Sequence, residues 1–127
     1  MDTGHFFNFP NVIVDVLFDK GLLYLVIKNH SHAEAFDIQI AFDKEFSGVQ
    51  GTRKISNLEI FKHLTYLAPM KEIPIFWDVA LAYFSRDEPT DLTVRISWSD
   101  LDGKDHAKSI SHNIGIYREL GYITNIE

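Results

Sequence analysis

Residues 23–42 read LYLVIKNHSHAEAFDIQIAF. Two runs of regularly spaced apolar side chains flank a short polar break, NHSHAE, and the reading of that break decides the fold. After it, Phe36, Ile38, Ile40 and Phe42 fall on one face and Asp37, Gln39 and Ala41 on the other. That is the period of a half-buried β-strand. Before it, Leu23, Leu25 and Ile27 alternate with Tyr24, Val26 and Lys28, so both faces are largely apolar. The break itself places His30 and His32 in an H-x-H spacing. Two histidines so spaced on a strand point the same way and are able to share a zinc ion. Lying beside Asn29 and Ser31 at a strand end, with no third ligand at a telling distance, they read instead as a solvated turn.

The same period runs through most of the chain. Val12, Val14, Val16 and Phe18 share a face, and Ile13 and Leu17 make the opposite one partly apolar. Leu92, Val94, Ile96 and Trp98 alternate with Thr93, Arg95, Ser97 and Ser99, and Ile73, Ile75, Trp77 and Val79 form a further apolar row. The two-sided apolarity of the first two segments predicts strands covered by more than one neighbour. Asp19-Lys20-Gly21 and Asp100-Leu101-Asp102-Gly103-Lys104 supply hairpin connections, the second joining the Trp98 strand to a strand over Ala107–Tyr117. Pro69, Pro74 and Pro89 belong to loops or sheet edges, since each removes a backbone donor. Two stretches break the pattern. Ser56-Asn57-Leu58-Glu59 has the spacing of a capping box, with Leu58, Phe61 and Leu64 at helical intervals, which predicts a short helix around 57–64. A second short helix is expected around 79–85, where alternation stops.

Seven or so short strands with hairpin connections describe a two-layer β-sandwich of immunoglobulin-like type. The segments LYLVIKNHSHAEAFDIQIAFD, LTYLAPMKEIPIF and LTVRISWSDLDGKDHAKSISHNIGIY resemble strands of bacterial immunoglobulin-like modules of the cell-adhesion-related (CARDB) group. The resemblance covers about residues 12–117. It departs from the group at Met70, where a glycine is common after the proline, and at the helix-like insert. It implies an all-β immunoglobulin-like sandwich acting in binding, spacing or assembly rather than catalysis. A single domain over residues 1–127, with its core at 12–117, is expected.

Bulk composition narrows the alternatives. With 127 residues, 46% of them hydrophobic, the chain is able to build a core without disulfide or metal support. It has no cysteine, which excludes thiolate chemistry and cysteine-ligated zinc. A formal charge of −6 argues against nucleic acid as the main partner. No apolar run approaches the ~20 residues of a membrane span, so no membrane insertion is expected. The start, MDTGHFFNFP, lacks the marks of a secretory signal. A cytoplasmic location is expected, although a chain trimmed of an N-terminal anchor, or an exported one, would read the same.

Each candidate site also has a purely structural reading. Asp100, Asp102 and Asp105 around Gly103 resemble part of a calcium loop, but the ligand series is too short and tight-turn chemistry explains them. His112 shares parity with Ile110, Ile114 and Ile116 and reads as a neutral, hydrogen-bonded core residue. His63 and His106 belong to no motif, and Asp87 and Glu88 read as solvated charge. Tyr83 and Phe84, near Trp77, are the candidates for a small-ligand or carbohydrate platform, while Trp77 and Trp98 are assigned to the core. His5, Phe6, Phe7 and Phe9 are expected to cover one end of the sandwich. No catalytic motif, cofactor signature or metal set stands out. The expected function is therefore protein–protein interaction or assembly, through a sheet edge or end loops, with self-association through an edge as one form of it. Ligand binding is the alternative, and a metal-dependent activity through His30 and His32 comes third.

Overall fold

The structure is a computed structural model that describes residues 9–124. Among the described residues, nine strands form two main sheets and one small hairpin. Strand β1 (Val12–Asp19) pairs antiparallel with β2 (Leu22–Asn29), and β2 pairs with β7 (Glu72–Val79). The second sheet has the order β6-β3-β8-β9, built from β6 (Leu64–Leu67), β3 (Ala35–Phe42), β8 (Asp91–Ser99) and β9 (Asp105–Asn113). Strands β4 (Ser47–Gly48) and β5 (Arg53–Lys54) make the small hairpin. One core cluster lies between the two sheets. Val12, Val14, Leu25 and Ile27 enter it from one layer, and Ile38, Val94, Ile96 and Trp98 from the other. The all-β sandwich with short helical insertions is thus observed. No helix of the described residues is long and apolar enough to cross a membrane.

The two expected hairpins form for the expected reason. Lys20 and Gly21 both have positive φ, 51° and 82°, as a two-residue turn matched to strand twist requires. Gly103 has φ 80° in the β8–β9 turn. There Asp100 Oδ1 accepts from the backbone N–H groups of Asp102 and Lys104 at 2.9 and 3.0 Å. At Ala68-Pro69-Met70-Lys71 the amide of Lys71 donates to Ala68 O at 3.1 Å, and Met70 sits at φ 59°. A positive φ after proline is the type II pattern that favours glycine. Met70 therefore occupies a glycine conformation without being one.

The insertions are α1 (Ile60–His63) and α2 (Ala80–Phe84). The capping box expected at Ser56 does not form. Ser56 Oγ is engaged by the backbone of Phe46, accepting its N–H at 3.1 Å, and a 3₁₀ turn (Ile55–Asn57) occupies the start. A third helix, α3 (Tyr117–Thr124), follows a 3₁₀ turn at Ile114–Ile116. The expected last strand therefore ends at Asn113, four residues short of Tyr117. Phe9 is 55% exposed; His5, Phe6 and Phe7, with residues 1–8 of the segment read for a signal, lie outside the described residues.

Two β-bulges correct the simple alternation. Between Phe36 and Gln39 the β3–β8 register shifts, with Asp37 at φ 50°. Ala35 and Ile38 both turn inward, and Phe36 moves to the outer face against Tyr66, ring centroids 5.4 Å apart. Between Leu23 and Tyr24 the β2–β7 register shifts too, so Asp78 is buried and Val79 is 37% exposed, against the expected row.

Candidate interaction surface

The polar break at Asn29–Glu34 carries the chain from one sheet to the other, and its buried members do the structural work. Asn29 Nδ2 donates to Ala33 O at 2.7 Å and Leu67 O at 3.1 Å, and Ser31 Oγ donates to Asn29 Oδ1 at 2.7 Å. Both side chains are fully buried, whereas His30 and His32 are exposed. Among the described residues no group of three or more His, Asp or Glu side chains is placed to hold a metal ion.

The aromatic candidates separate. Tyr83 is buried against Trp77, ring centroids 4.8 Å apart, and its hydroxyl donates to Pro89 O. Burial raises its pKa above the ordinary value. A ring so enclosed offers no platform to a ligand. Phe84 is half-buried beneath the Arg118 guanidinium. Trp77 and Trp98 are core residues, as expected. His112 Nε2 donates to Val14 O at 2.8 Å, His63 pairs with Glu59, and His106 pairs with Asp100 at 2.8 Å.

Sequence reasoning missed a polar cluster at one end of the sandwich. Asp78 Oδ1 accepts from the amides of Gln50 and Val79 at 3.0 and 2.8 Å, and Oδ2 accepts from Arg86 Nη2 at 2.7 Å. Arg86 Nε also donates to Glu88 at 3.2 Å, whose other oxygen accepts the Ser47 amide. Glu88 is thus enclosed rather than solvated, while Asp87 is exposed. Burial works to lower the Arg86 pKa, but the hydrogen bonds to Asp78 and Glu88 outweigh it and hold the pKa above the ordinary value. The cluster fixes the β4–β5 turn, where Val49, Gln50 and Gly51 all have positive φ. Gly48 is obligatory beside it, since a Cβ there would stand 2.0 Å from Trp77 O. Every acceptor in this cluster faces an internal donor, so it reads as a clamp.

What the fold leaves open are the outer faces of its two sheets. On the three-stranded sheet the register aligns Leu17, Tyr24 and Phe76 in one row and Asp15, Val26 and Pro74 in the next. Ile13, Lys28 and Glu72 complete the face, the last two as an ion pair at 3.6 Å. Leu17 is 45% and Phe76 41% exposed. Tyr24 and Phe76 meet edge to face with centroids 5.8 Å apart. The second apolar face read from β1 and β2 is therefore real, but no described element covers it.

The four-stranded sheet presents the opposite chemistry. Its rows run Gln39–Ser97–Ala107 and Ala41–Arg95–Ser109. Thr93 Oγ1 and Ser111 Oγ share a hydrogen bond at 3.0 Å. Among the described residues, aromatic side chains stand only at its corner, where Tyr66 lies beside Phe36 and donates to Glu34, an interaction that raises the tyrosine pKa.

The sheet edges are largely engaged. Along β1, Val14 O accepts from His112, Val16 O from Tyr117 Oη at 3.5 Å, and the Val16 amide donates to Asp15 Oδ1. On β7, Val49 N donates to Trp77 O at 2.9 Å and Pro74 lacks a donor. Strand β6 is four residues long. On β9, Lys108 shares the inward parity of Ile110 and its ammonium donates to Asn11 Oδ1.

Residues 8–118 match the family described as a domain of unknown function (DUF8453), and the chain belongs to that family. No curated protein and no solved structure matches the chain.

Proposed function

We propose that this chain is a non-catalytic, immunoglobulin-like interaction module that docks a protein partner through the outer face of its three-stranded sheet. The strand order supports the immunoglobulin-like part: β1, β2 and β7 form one layer, and β3, β8 and β9 run side by side in the other, joined by Greek-key crossings. The observation that carries the interaction part is the apolar row Leu17–Tyr24–Phe76, continued by exposed Pro74 and half-buried Ile13, with Val26 buried among them. Contiguous apolar surface of this kind costs solubility in a monomer and marks interaction sites. Each open edge carries an obstacle to strand addition, so a face rather than an edge is the favoured contact. A partner with its own apolar surface fits it, and the Lys28–Glu72 pair lies at its polar margin.

Sedimentation velocity over a concentration series, together with capture of prey from the source cells, tests this with the wild-type chain, Phe76→Glu, Leu17→Ser and, as a control on the opposite face, Ser109→Asn. Self-association or a defined prey is expected, weakened at least tenfold by Phe76→Glu and Leu17→Ser and unchanged by Ser109→Asn. Circular dichroism verifies that each variant is folded. Association indifferent to both apolar-face variants, or no association at all, would overturn the proposal.

A further inference from the structure

The outer face of the four-stranded sheet holds a groove of about 510 Å³, lined by Gln39, Ala41, Lys62, His63, Arg95 and Ser97 among others. Three features of it point to a ligand. Arg95 lies on a central strand, and its cross-strand neighbours are Ala41 and Ser109, so the side chain stands over a floor of small residues with no carboxylate opposite. Neither Arg95 nor Lys62 has a side-chain hydrogen bond or ion pair with any described residue, in a chain with 18 acidic and 12 basic residues. No lining residue is acidic, and the neighbouring carboxylate of Glu59 is already paired with His63 at 3.2 Å.

We infer that this groove binds a small organic anion bearing two or more carboxylate or phosphate groups, held by Arg95 and Lys62. A guanidinium presents a planar fork that matches either oxyanion, and an ammonium adds a second, adjustable charge. Gln39 and Ser97 offer amide and hydroxyl partners for the polar remainder of the ligand. The small side chains of Ala41 and Ser97 leave room for it to lie against the sheet. The site is independent of the apolar face on the other sheet, so either reading stands if the other fails.

The test is a titration of the full chain with citrate and, separately, inorganic phosphate at low salt, followed by backbone amide NMR shifts. Saturable shifts are expected at Gln39, Ala41, Lys62, Arg95 and Ser97. Arg95→Gln is expected to weaken binding at least tenfold and Lys62→Gln several-fold, with Arg53→Gln on β5 leaving it unchanged. Citrate binding tighter than phosphate indicates a polycarboxylate, and the reverse order a phosphate compound. Shifts that do not saturate, shifts that spread equally to Lys20, Arg53 and Lys104, or insensitivity to Arg95→Gln would overturn the inference. Hexaglutamate binding more tightly than citrate would overturn it too, by assigning the groove to an acidic peptide.

Discussion

The two sheets share one core and differ on their backs. Behind β2 the outer row is Leu17, Tyr24 and Phe76; behind β8 it is Ala41, Arg95 and Ser109. Both sets satisfy the same inward requirement of an apolar residue at every second position, so folding alone does not account for the contrast. An outward serine or alanine keeps a strand soluble and leaves room above it. An outward leucine or phenylalanine leaves apolar area in water at a cost of roughly 25 cal/mol per Å². In the readings proposed above, the serine and alanine surface is the one for a solute and the leucine and phenylalanine surface the one for another protein.

The largest effect that would break this contrast comes from the clamp at the end of β7. Asp78→Ala removes an acceptor from two backbone amides and leaves the Arg86 guanidinium without its closest carboxylate. A loss of about 3 kcal/mol is expected, the scale for breaking a buried pair from one side. Urea unfolding would measure it. Hydrogen exchange should show β7 and the β4–β5 turn losing protection first, with β3 and β8 retaining theirs. Equal loss in both sheets would mean that the two backs do not respond separately.

A smaller effect sharpens the contrast at the aromatic corner of the polar face. Phe36 reaches that corner because Asp37 adopts φ 50° in the bulge. Asp37→Val is expected to cost about 1–2 kcal/mol, since a β-branched residue tolerates the left-handed region poorly, while Asp37→Gly is expected to be neutral or stabilising. Thermal unfolding of the pair would separate them. If both behave alike, the bulge does not depend on that residue.

The smallest effect concerns the β8–β9 turn. His106, and then the Lys104 amide, hold the Asp100 carboxyl below its ordinary value of 3.8. A folded pKa below the unfolded one stabilises the native state above the unfolded value and is lost as pH falls through the folded value. Asp100→Asn should therefore flatten the decline in stability on the acid side of 3.8, with urea midpoints at successive pH values as the measurement. A decline as steep as in the wild type would remove Asp100 from the account.

Much of this architecture was legible because period two and turn chemistry are local. The parity of Val94, Ile96 and Trp98, the Lys20-Gly21 turn and the short helix at Ala80–Phe84 follow from neighbouring residues alone. The bulges were not legible, because a one-residue offset at Phe36 or Trp77 is decided by the strand opposite. Ser56 was misread for a related reason: a hydroxyl suited to capping was engaged by Phe46, ten residues away. The Asp78–Arg86–Glu88 clamp joins a strand to a loop through side chains whose meeting no spacing announces. The candidate face was half legible. Tyr24 and Val26 signalled a second apolar surface, but alternation cannot tell a face covered from within from one left open.

Lys108 has a consequence for how molecules of this protein behave in a crowd. Strand β9 is nine residues long and borders its sheet with small side chains outward, the profile of a ribbon that a neighbouring molecule is able to extend into a fibre. Extension there would bring a second chain against an ammonium that needs water and Asn11, so the first addition is already unfavourable. One cation on β9 thus weighs against growth of the sheet from that edge.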